Sequence, residues 1–386
     1  VVAAASSVRT PKGHADYWLL SFVTVLVVIG LQAVYSATFA LAITEYHNVF
    51  YFLMRQAMGA ALGVALLFAC MSIDYRWWRF LSPFIFVGAL VSLVLVIIPG
   101  FSSSQYGASR WLQIGPLPAV QPSEFMKIAM ILVVAAWLSS SNRRVTDFKT
   151  GLLPIAGVVG IVSFLIMKQP DFGTVLVIIL TAGTMYFLAG ASLTALTMIV
   201  LSGLAGGAFL ITTAAYRVER WQSFLNPWQD PQGIGFHIIQ LLIALGTGGI
   251  TGLGIGASRQ KFFYVPGAHT DGIFAIIGEE LGFIGCMVVI LLFAAVIYRG
   301  ARIVQHAPDR FGALLASGIV AWIAYQTLIN IGGITQAIPL TGIPLPFISY
   351  GGSSLAATMA AVGILLSISR YLKGTEPTQS QTLEAR

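Results

Sequence analysis

The segment Pro266-Gly-Ala-His-Thr-Asp271 puts a carboxylate where a polar stretch of chain gives way to an apolar run. Two readings compete at Asp271. One is a helix cap, because aspartate accepts backbone N–H bonds at helix starts and contributes roughly 1 kcal/mol there. The other is a general base, because a carboxylate at a water-exposed interface can take a proton from a hydroxyl. The preceding stretch holds Arg217, Arg220, Arg259 and Lys261 among Trp221, Phe224, Trp228, Phe236, Phe262, Phe263 and Tyr264. Capping alone gives no reason for so basic and aromatic a stretch.

The cations Arg110, Lys168, Arg217, Arg220, Arg259 and Lys261 form a second group. Singly, each would be solvated or bonded to lipid headgroups. Together they could hold a diphosphate, since arginine offers forked donors to phosphate oxygens. Glu124 and Lys127 stand three apart, hence on one helix face. Glu279 and Glu280 are adjacent and diverge by about 100° on a helix, so at most one can face a given partner. Ionisable groups at membrane depth cost around 2.5–3.5 kcal/mol on insertion scales. These four are therefore expected either as structural ion pairs or in substrate handling, with Lys127 paired to Glu124 or Glu279.

The run Gly342-Ile-Pro-Leu-Pro-Phe-Ile-Ser-Tyr-Gly-Gly-Ser-Ser354 either separates two helices or lines a substrate path. Walker, HExxH and paired-cysteine metal signatures are absent from the sequence. Gly252-Leu-Gly-Ile-Gly-Ala257 lacks the strand and helix that give a glycine loop a nucleotide-binding meaning. A transferred group would then arrive on a carrier such as a polyprenyl lipid. Cys70 and Cys286 fall in apolar runs and read as packing residues.

The elements that must position these residues follow from composition. Hydrophobic residues make up 57% of the 386 and charged residues 9%, far below the quarter or so usual in soluble domains. The net charge of +7 comes from short basic segments between apolar runs, so it points to membrane topology and not to nucleic acid. Apolar runs place about ten transmembrane helices at roughly 17–37, 50–72, 79–99, 122–139, 150–167, 172–190, 193–214, 272–298, 311–331 and 348–370. With both termini cytoplasmic, the inner segments hold thirteen basic residues: Arg9, Lys12, Arg76, Arg79, Arg143, Arg144, Lys149, Arg299, Arg302, Arg310, Arg370, Lys373 and Arg386. The outer segments hold the six cations named above, and this imbalance fixes the orientation.

The expected fold class is thus an all-α polytopic membrane protein. Residues 1–16 form a cytoplasmic N-terminal segment, 17–370 a ten-helix membrane domain, and 371–386 a cytoplasmic tail. Long extracytoplasmic loops fall near 99–122 and, between helices 7 and 8, near 215–271. Loops that long are functional or disordered, and the aromatic content argues against disorder. The apolar stretch from His237 to Leu245 is too short to span. It is expected to be interfacial or re-entrant, lying flat in the outer leaflet.

Seven segments in order resemble a known family. They are Gly107-Ala-Ser-Arg-Trp-Leu112, Gln121-Pro-Ser-Glu-Phe-Met-Lys127, Gln169-Pro-Asp-Phe-Gly173, Arg220 through Asn226-Pro-Trp, Ala268-His-Thr-Asp-Gly-Ile-Phe-Ala275, Ile277-Gly-Glu-Glu-Leu-Gly282 and Ile348-Ser-Tyr-Gly-Gly-Ser-Ser354. Together they resemble the SEDS proteins of bacterial cell-wall synthesis (FtsW, RodA and SpoVE), and FtsW more than RodA. The resemblance implies a peptidoglycan glycosyltransferase of the inner membrane that polymerises lipid II into glycan strands on the outer face, for division or elongation. A lipid II flippase is the alternative.

The resemblance also implies Asp271 as the essential acidic residue and an inverting reaction. It places Arg110, Gln121, Glu124 and Lys127 at the substrate, and Arg217, Arg220, Lys261, His269 and Ser349 are further substrate-binding candidates. Glu279 and Glu280 are taken as structural ion pairs. Implied partners are lipid II, an undecaprenyl diphosphate-linked glycan, a class B penicillin-binding protein, and other divisome or elongasome membrane proteins, with no nucleic acid. No cofactor is specified; a divalent cation (Mg or Mn) could assist the diphosphate, though no residue cluster marks a metal site. Two departures stand out. Gly272 follows Asp271 where many relatives have Phe, which would loosen the start of that helix. Pro116-Leu-Pro-Ala119 stands where many carry a basic residue, which removes one expected phosphate contact.

Overall fold

The computed structural model describes residues 13–105, 108–113, 119–140, 145–192, 215–262 and 264–372, with a few single positions between 193 and 214. The seventh expected span, the C-terminal tail, most of the N-terminal segment, Phe263 and the prolines at 116 and 118 lie outside the described residues.

The described chain forms helices α1 (Tyr17–Tyr46), α2 (Tyr51–Ser72) and α3 (Tyr75–Ile97), then a hairpin of β1 (Ser102–Gln105) and β2 (Ala108–Leu112). There follow α4 (Pro122–Leu138), α5 (Leu153–Met167, led in by a π-helical turn at Phe148–Leu152), α6 (Phe172–Leu188), α7 (Ala215–Leu225) and α8 (Phe236–Gly248). The chain closes with α9 (Ile273–His306), α10 (Arg310–Ile334) and α11 (Gly352–Ser369). The expected all-α membrane class holds, and this short hairpin is the β structure among the described residues. It is antiparallel, with Ser102 opposite Leu112, and it occupies the first long loop.

Among the described residues, seven stretches are long and apolar enough to cross a membrane: α1, α2, α3, α5 with its π turn, α9, α10 and α11. At 17 residues each, α4 and α6 sit at the lower limit for spanning. The core lies along α11, which is buried over almost its whole length. Helix α2 lays a stripe of Phe52, Gln56, Ala60, Gly63, Leu67 and Cys70 on it. A Cβ at Gly59 would stand 2.6 Å from the Gly352 Cα, and one at Gly363 would collide with the Leu67 backbone. Such small residues let helices approach closely where no hydrophobic drive separates protein from lipid.

The two ends of the bundle differ. At one end the Gly13 N–H donates to the Arg370 carbonyl at 2.7 Å, and Arg299 pairs with Asp16 at 2.7 Å. There too the Arg310 guanidinium donates to the Ala189 carbonyl. The start of α1 therefore lies beside the end of α11. At the other end Arg220 reaches the carbonyls of Leu340 and Thr341. Ala189 and Arg220 therefore lie at opposite ends of the bundle.

Helix α8 is the re-entrant alternative and does not lie flat. Leu241 packs where a Cβ on Gly272 would be, and Leu245 where one on Gly278 would be. Residue numbers rise together, so α8 descends beside α9 for about two turns. Gly248 then meets the Gly278 backbone, and the chain returns to Asp271. At this depth α9 breaks: Gly282 has φ +67° and ψ −165°, a conformation glycine tolerates best.

An unbroken helix would join the Phe283 and Ile284 N–H groups to the Glu279 and Glu280 carbonyls. Instead Phe283 N donates to Gly249 O at 2.9 Å and Ile284 N to Ile250 O at 3.1 Å. The freed carbonyls of Glu279 and Glu280 accept from Leu253 N at 2.9 Å and Gly254 N at 3.0 Å. All four groups are paired again, the condition for irregular backbone at membrane depth.

Candidate functional site

Four aspartates at helix starts behave as capping requires. Asp16, Asp74, Asp171 and Asp309 each accept from a backbone N–H of the helix they precede. Asp271 does not. The cap position of α9 is Gly272, with no side-chain cap bond, and the Asp271 carboxylate accepts from the Thr270 hydroxyl at 3.0 Å. It is half-buried and faces the loop between α10 and α11. Gly272 is closely packed: a Cβ there would come within 3.1 Å of Val265 Cγ1 and 3.3 Å of the Gly267 carbonyl. The helix start is tight, contrary to the looseness expected of a glycine at that position.

Arg220 and Asp271 flank Gly342. A Cβ on Gly342 would sit 3.6 Å from Asp271 Oδ2 and 3.7 Å from Arg220 Nη2. Its φ of +76° is one that other residues adopt only under strain, so the turn between the carboxylate and the guanidinium favours glycine by backbone conformation. Arg220 donates to the Thr341 carbonyl at 3.1 Å and stays exposed. Arg217, one turn earlier on α7, is half-buried.

Beneath this loop lies a polar layer. The Asn330 side-chain amide donates to the Asp271 carbonyl at 3.0 Å and the Ile343 carbonyl at 2.8 Å. Gln326, one turn away, donates to the Pro344 carbonyl at 2.9 Å. The Gln326 carbonyl accepts from Lys127 Nζ at 2.8 Å, and Lys127 pairs with Glu124 at 2.9 Å. Both charges are buried, with the amine 4.8 Å from the Trp322 ring centroid. The expected pair beneath the outer loop thus forms with Glu124 and not Glu279. It acts as the footing of residues 341–346 and does not open to a substrate.

Other candidates separate from this centre. The Arg110 guanidinium donates to the Gln169 and Pro170 carbonyls at 3.0 and 2.6 Å. It braces the start of α6, whose Gly173 touches Thr341 and Ile343. Gln121 stands at the start of α4, its N–H donating to the Ser353 hydroxyl. Ser349 is buried, and its hydroxyl accepts from Leu345 N at 2.8 Å. It closes its own turn and does not line the site.

Lys261 is a clear correction. It is buried and pairs with Glu280 at 3.2 Å, also donating to the Ser36 hydroxyl and the Gly256 carbonyl. A buried glutamate needs this counter-charge, so the amine is unavailable to substrate. Glu280 is the ion pair expected, but Glu279 is not. Among the described residues Glu279 accepts from the Ser258 hydroxyl and the N–H groups of Arg259 and Gln260, pinning the returning strand of the loop.

His269 is buried, with its ring centroid 5.4 Å from that of Phe52 and 5.5 Å from that of Tyr350. Its carbonyl accepts from Tyr350 N at 2.9 Å. Burial pushes its imidazole down to about 4, against the opposing pull of the Asp271 carboxylate.

Sequence reasoning missed Gln326 and Asn330. The available signal was two amides four apart in an otherwise apolar span. Among the described residues no group of three or more His, Cys, Asp or Glu side chains could hold a metal ion. A cavity of about 310 Å³ between α3, β2 and α4, lined by Ile85, Leu112, Phe125 and Ile128, is almost wholly apolar. It holds none of the ionisable residues around Asp271.

A family model described as "Cell cycle protein" and named for FtsW, RodA and SpoVE matches residues 17–374. The chain is 46% identical over 362 residues to "Stage V sporulation protein E" of Bacillus subtilis, covering 94% of this chain and 99% of that one. It is 42% identical to "Probable peptidoglycan glycosyltransferase FtsW" of Geobacter metallireducens, covering 93% and 96%. Among solved structures, one described as "Structural coordination of polymerization and crosslinking by a peptidoglycan synthase complex" matches with TM-score 0.74 at 26% identity, over 92% of this chain and 98% of that one. The rod shape determining protein RodA of Thermus thermophilus matches with TM-score 0.68 at 26% identity, with the same coverage.

Proposed function

The chain belongs to the FtsW, RodA and SpoVE family of cell cycle proteins, and from that membership we propose that it is an inverting peptidoglycan glycosyltransferase that polymerises lipid II. The observation that carries the reading is Asp271: a carboxylate at a helix start that caps nothing and stands beside Arg220 across Gly342. In the reaction, Asp271 accepts the proton of the acceptor sugar's 4-hydroxyl as its oxygen attacks the anomeric carbon of the lipid-linked donor. The bond from that carbon to the diphosphate oxygen breaks, and undecaprenyl diphosphate leaves with the electron pair. Inversion from an α-linked donor to a β-linked product needs one base and no covalent intermediate.

Arg220 is the cation best placed to meet the developing diphosphate charge, a role that the sequence left open among Arg110 and the other outer basic residues. Arg110 acts through the carbonyls of Gln169 and Pro170. Among the described residues around Asp271 no set of side chains could hold a metal ion. A flippase would need polar groups open along a path. The Lys127 amine is held by Glu124 and Gln326, and the Lys261–Glu280 pair is closed on Ser36 and the Gly256 carbonyl, so neither ammonium is open to a path, which favours an enzyme.

The reading places both termini in the cytoplasm, residues 17–370 in the inner membrane as one domain, and the Asp271 end outside. Its partner is a single-span class B penicillin-binding protein that cross-links the strands. Support comes from the likeness to a peptidoglycan synthase complex that coordinates polymerization and crosslinking.

The test is glycan chain formation from labelled lipid II by purified protein, with and without that partner. Asp271→Asn keeps size and shape but removes the basicity. Its rate should fall about 10²- to 10⁴-fold with folding and partner binding unchanged. Near-parental polymerisation would remove Asp271 from the mechanism.

A further inference from the structure

A polar atom buried without a hydrogen-bond partner destabilises the fold that holds it, so its position asks for a use. His237 stands on the first turn of α8, and its Nε2 is buried with no hydrogen-bond partner among the described residues. The Pro266 carbonyl lies close to the ring. A carbonyl can only accept, which favours the tautomer with the proton on the Nδ1 side and a lone pair on Nε2. Leu241, one turn further along α8, packs against Gly272. His237 therefore lies beside the last loop residues before α9, near enough to the Asp271 carboxylate and the Arg220 guanidinium to feel both charges. No group assigned above uses it.

A neutral ring nitrogen with a free lone pair, close to a carboxylate, is a poor partner for a diphosphate. It suits a hydrogen-bond donor, and an amino sugar carries two kinds, hydroxyl and amide N–H. We propose that His237 Nε2 accepts a hydrogen bond from the acceptor sugar and holds that sugar with its attacking oxygen toward Asp271. The proposal rests on the reading of Asp271 as general base. It explains why α8 must re-enter beside α9: the descent of Leu241, Leu245 and Gly248 along α9 fixes the height of the first turn.

The experiment measures initial polymerisation rate against lipid II concentration for purified, partner-bound protein, together with melting temperature. His237→Phe keeps a ring of similar size and removes the acceptor; His237→Leu is the second apolar variant should Phe fold poorly. The apolar variant should raise the apparent KM for lipid II about five- to tenfold. Its melting temperature should stay level or rise, because an unpaired buried atom has gone. His237→Gln, which restores an acceptor, should recover most of the lost affinity.

A merely structural histidine gives the opposite pattern, stability and activity falling together with no rescue by Gln. That pattern, or parental kinetics in the apolar variant, overturns the proposal. Asp271→Asn assayed in parallel lowers kcat and leaves KM in place, so failure of the base assignment is read separately from failure of His237.

Discussion

At Asp16, Asp171 and Asp309 the carboxylate turns back onto the helix it precedes, whereas at Asp271 it turns away. The difference lies in the neighbours. Gly272 N is already taken by the Gly267 carbonyl, and Thr270 supplies the carboxylate with a donor from its own turn. His269, two residues earlier, is tuned by the same packing. Its imidazole sits near 4 in the fold against an ordinary 6.5, so the native state keeps it neutral while the unfolded chain protonates below about 6.5. The unfolded state then binds more protons between those values, and stability must fall as pH drops from about 6.5 to 4. Melting temperatures of parent and His269→Phe across that range check this. The parent should lose more than the variant, and parallel curves would contradict it.

Helix α9 is continuous in sequence but acts as two pieces joined at Gly282. The first piece, carrying Asp271 at its head, is bonded to the re-entrant loop through Glu279, Glu280 and the four exchanged backbone bonds. Lys261 and Glu280 hold this unit against α1 through Ser36. Lys261→Met would leave a glutamate buried without its counter-charge, which costs about 3–5 kcal/mol. The variant should unfold at lower denaturant and lose polymerisation as the loop shifts. The double substitution Lys261→Met with Glu280→Leu should recover most of the stability. A double variant no better than the single one would show that the pair does not act as a unit.

For the whole molecule, the decisive feature is which end carries the chemistry. Asp271, Arg220, Gly342 and His237 gather at one end, and Asp16, Arg299, Arg310 and Arg370 at the other. The basic excess belongs to the second end, which the positive-inside rule assigns to the cytoplasm. The native cysteines Cys70 and Cys286 are buried, so introduced cysteines report alone. Gln232→Cys should react with a membrane-impermeant maleimide in intact cells, and Gln305→Cys only after permeabilisation. Reversed labelling would invert the topology and place the site inside.

The sequence by itself determined the membrane class, the positions of most spans and the carboxylate to watch. Hydrophobic length and charge bias are local quantities that any stretch of chain displays. It also put Lys127 with a glutamate, because an isolated charge in lipid is costly whatever the fold. Tertiary structure decided which glutamate, and it withdrew Lys261 and Ser349 from the substrate, since both are consumed by partners far away in sequence or folded inward. It made Arg220 rather than Arg110 the neighbour of Asp271. It also brought in Gln326, Asn330, Gly342 and His237, whose roles are set by backbone carbonyls and by space. A carbonyl is the same in every residue, so no residue-type pattern announces which one an amide will clamp or where a missing Cβ will leave room.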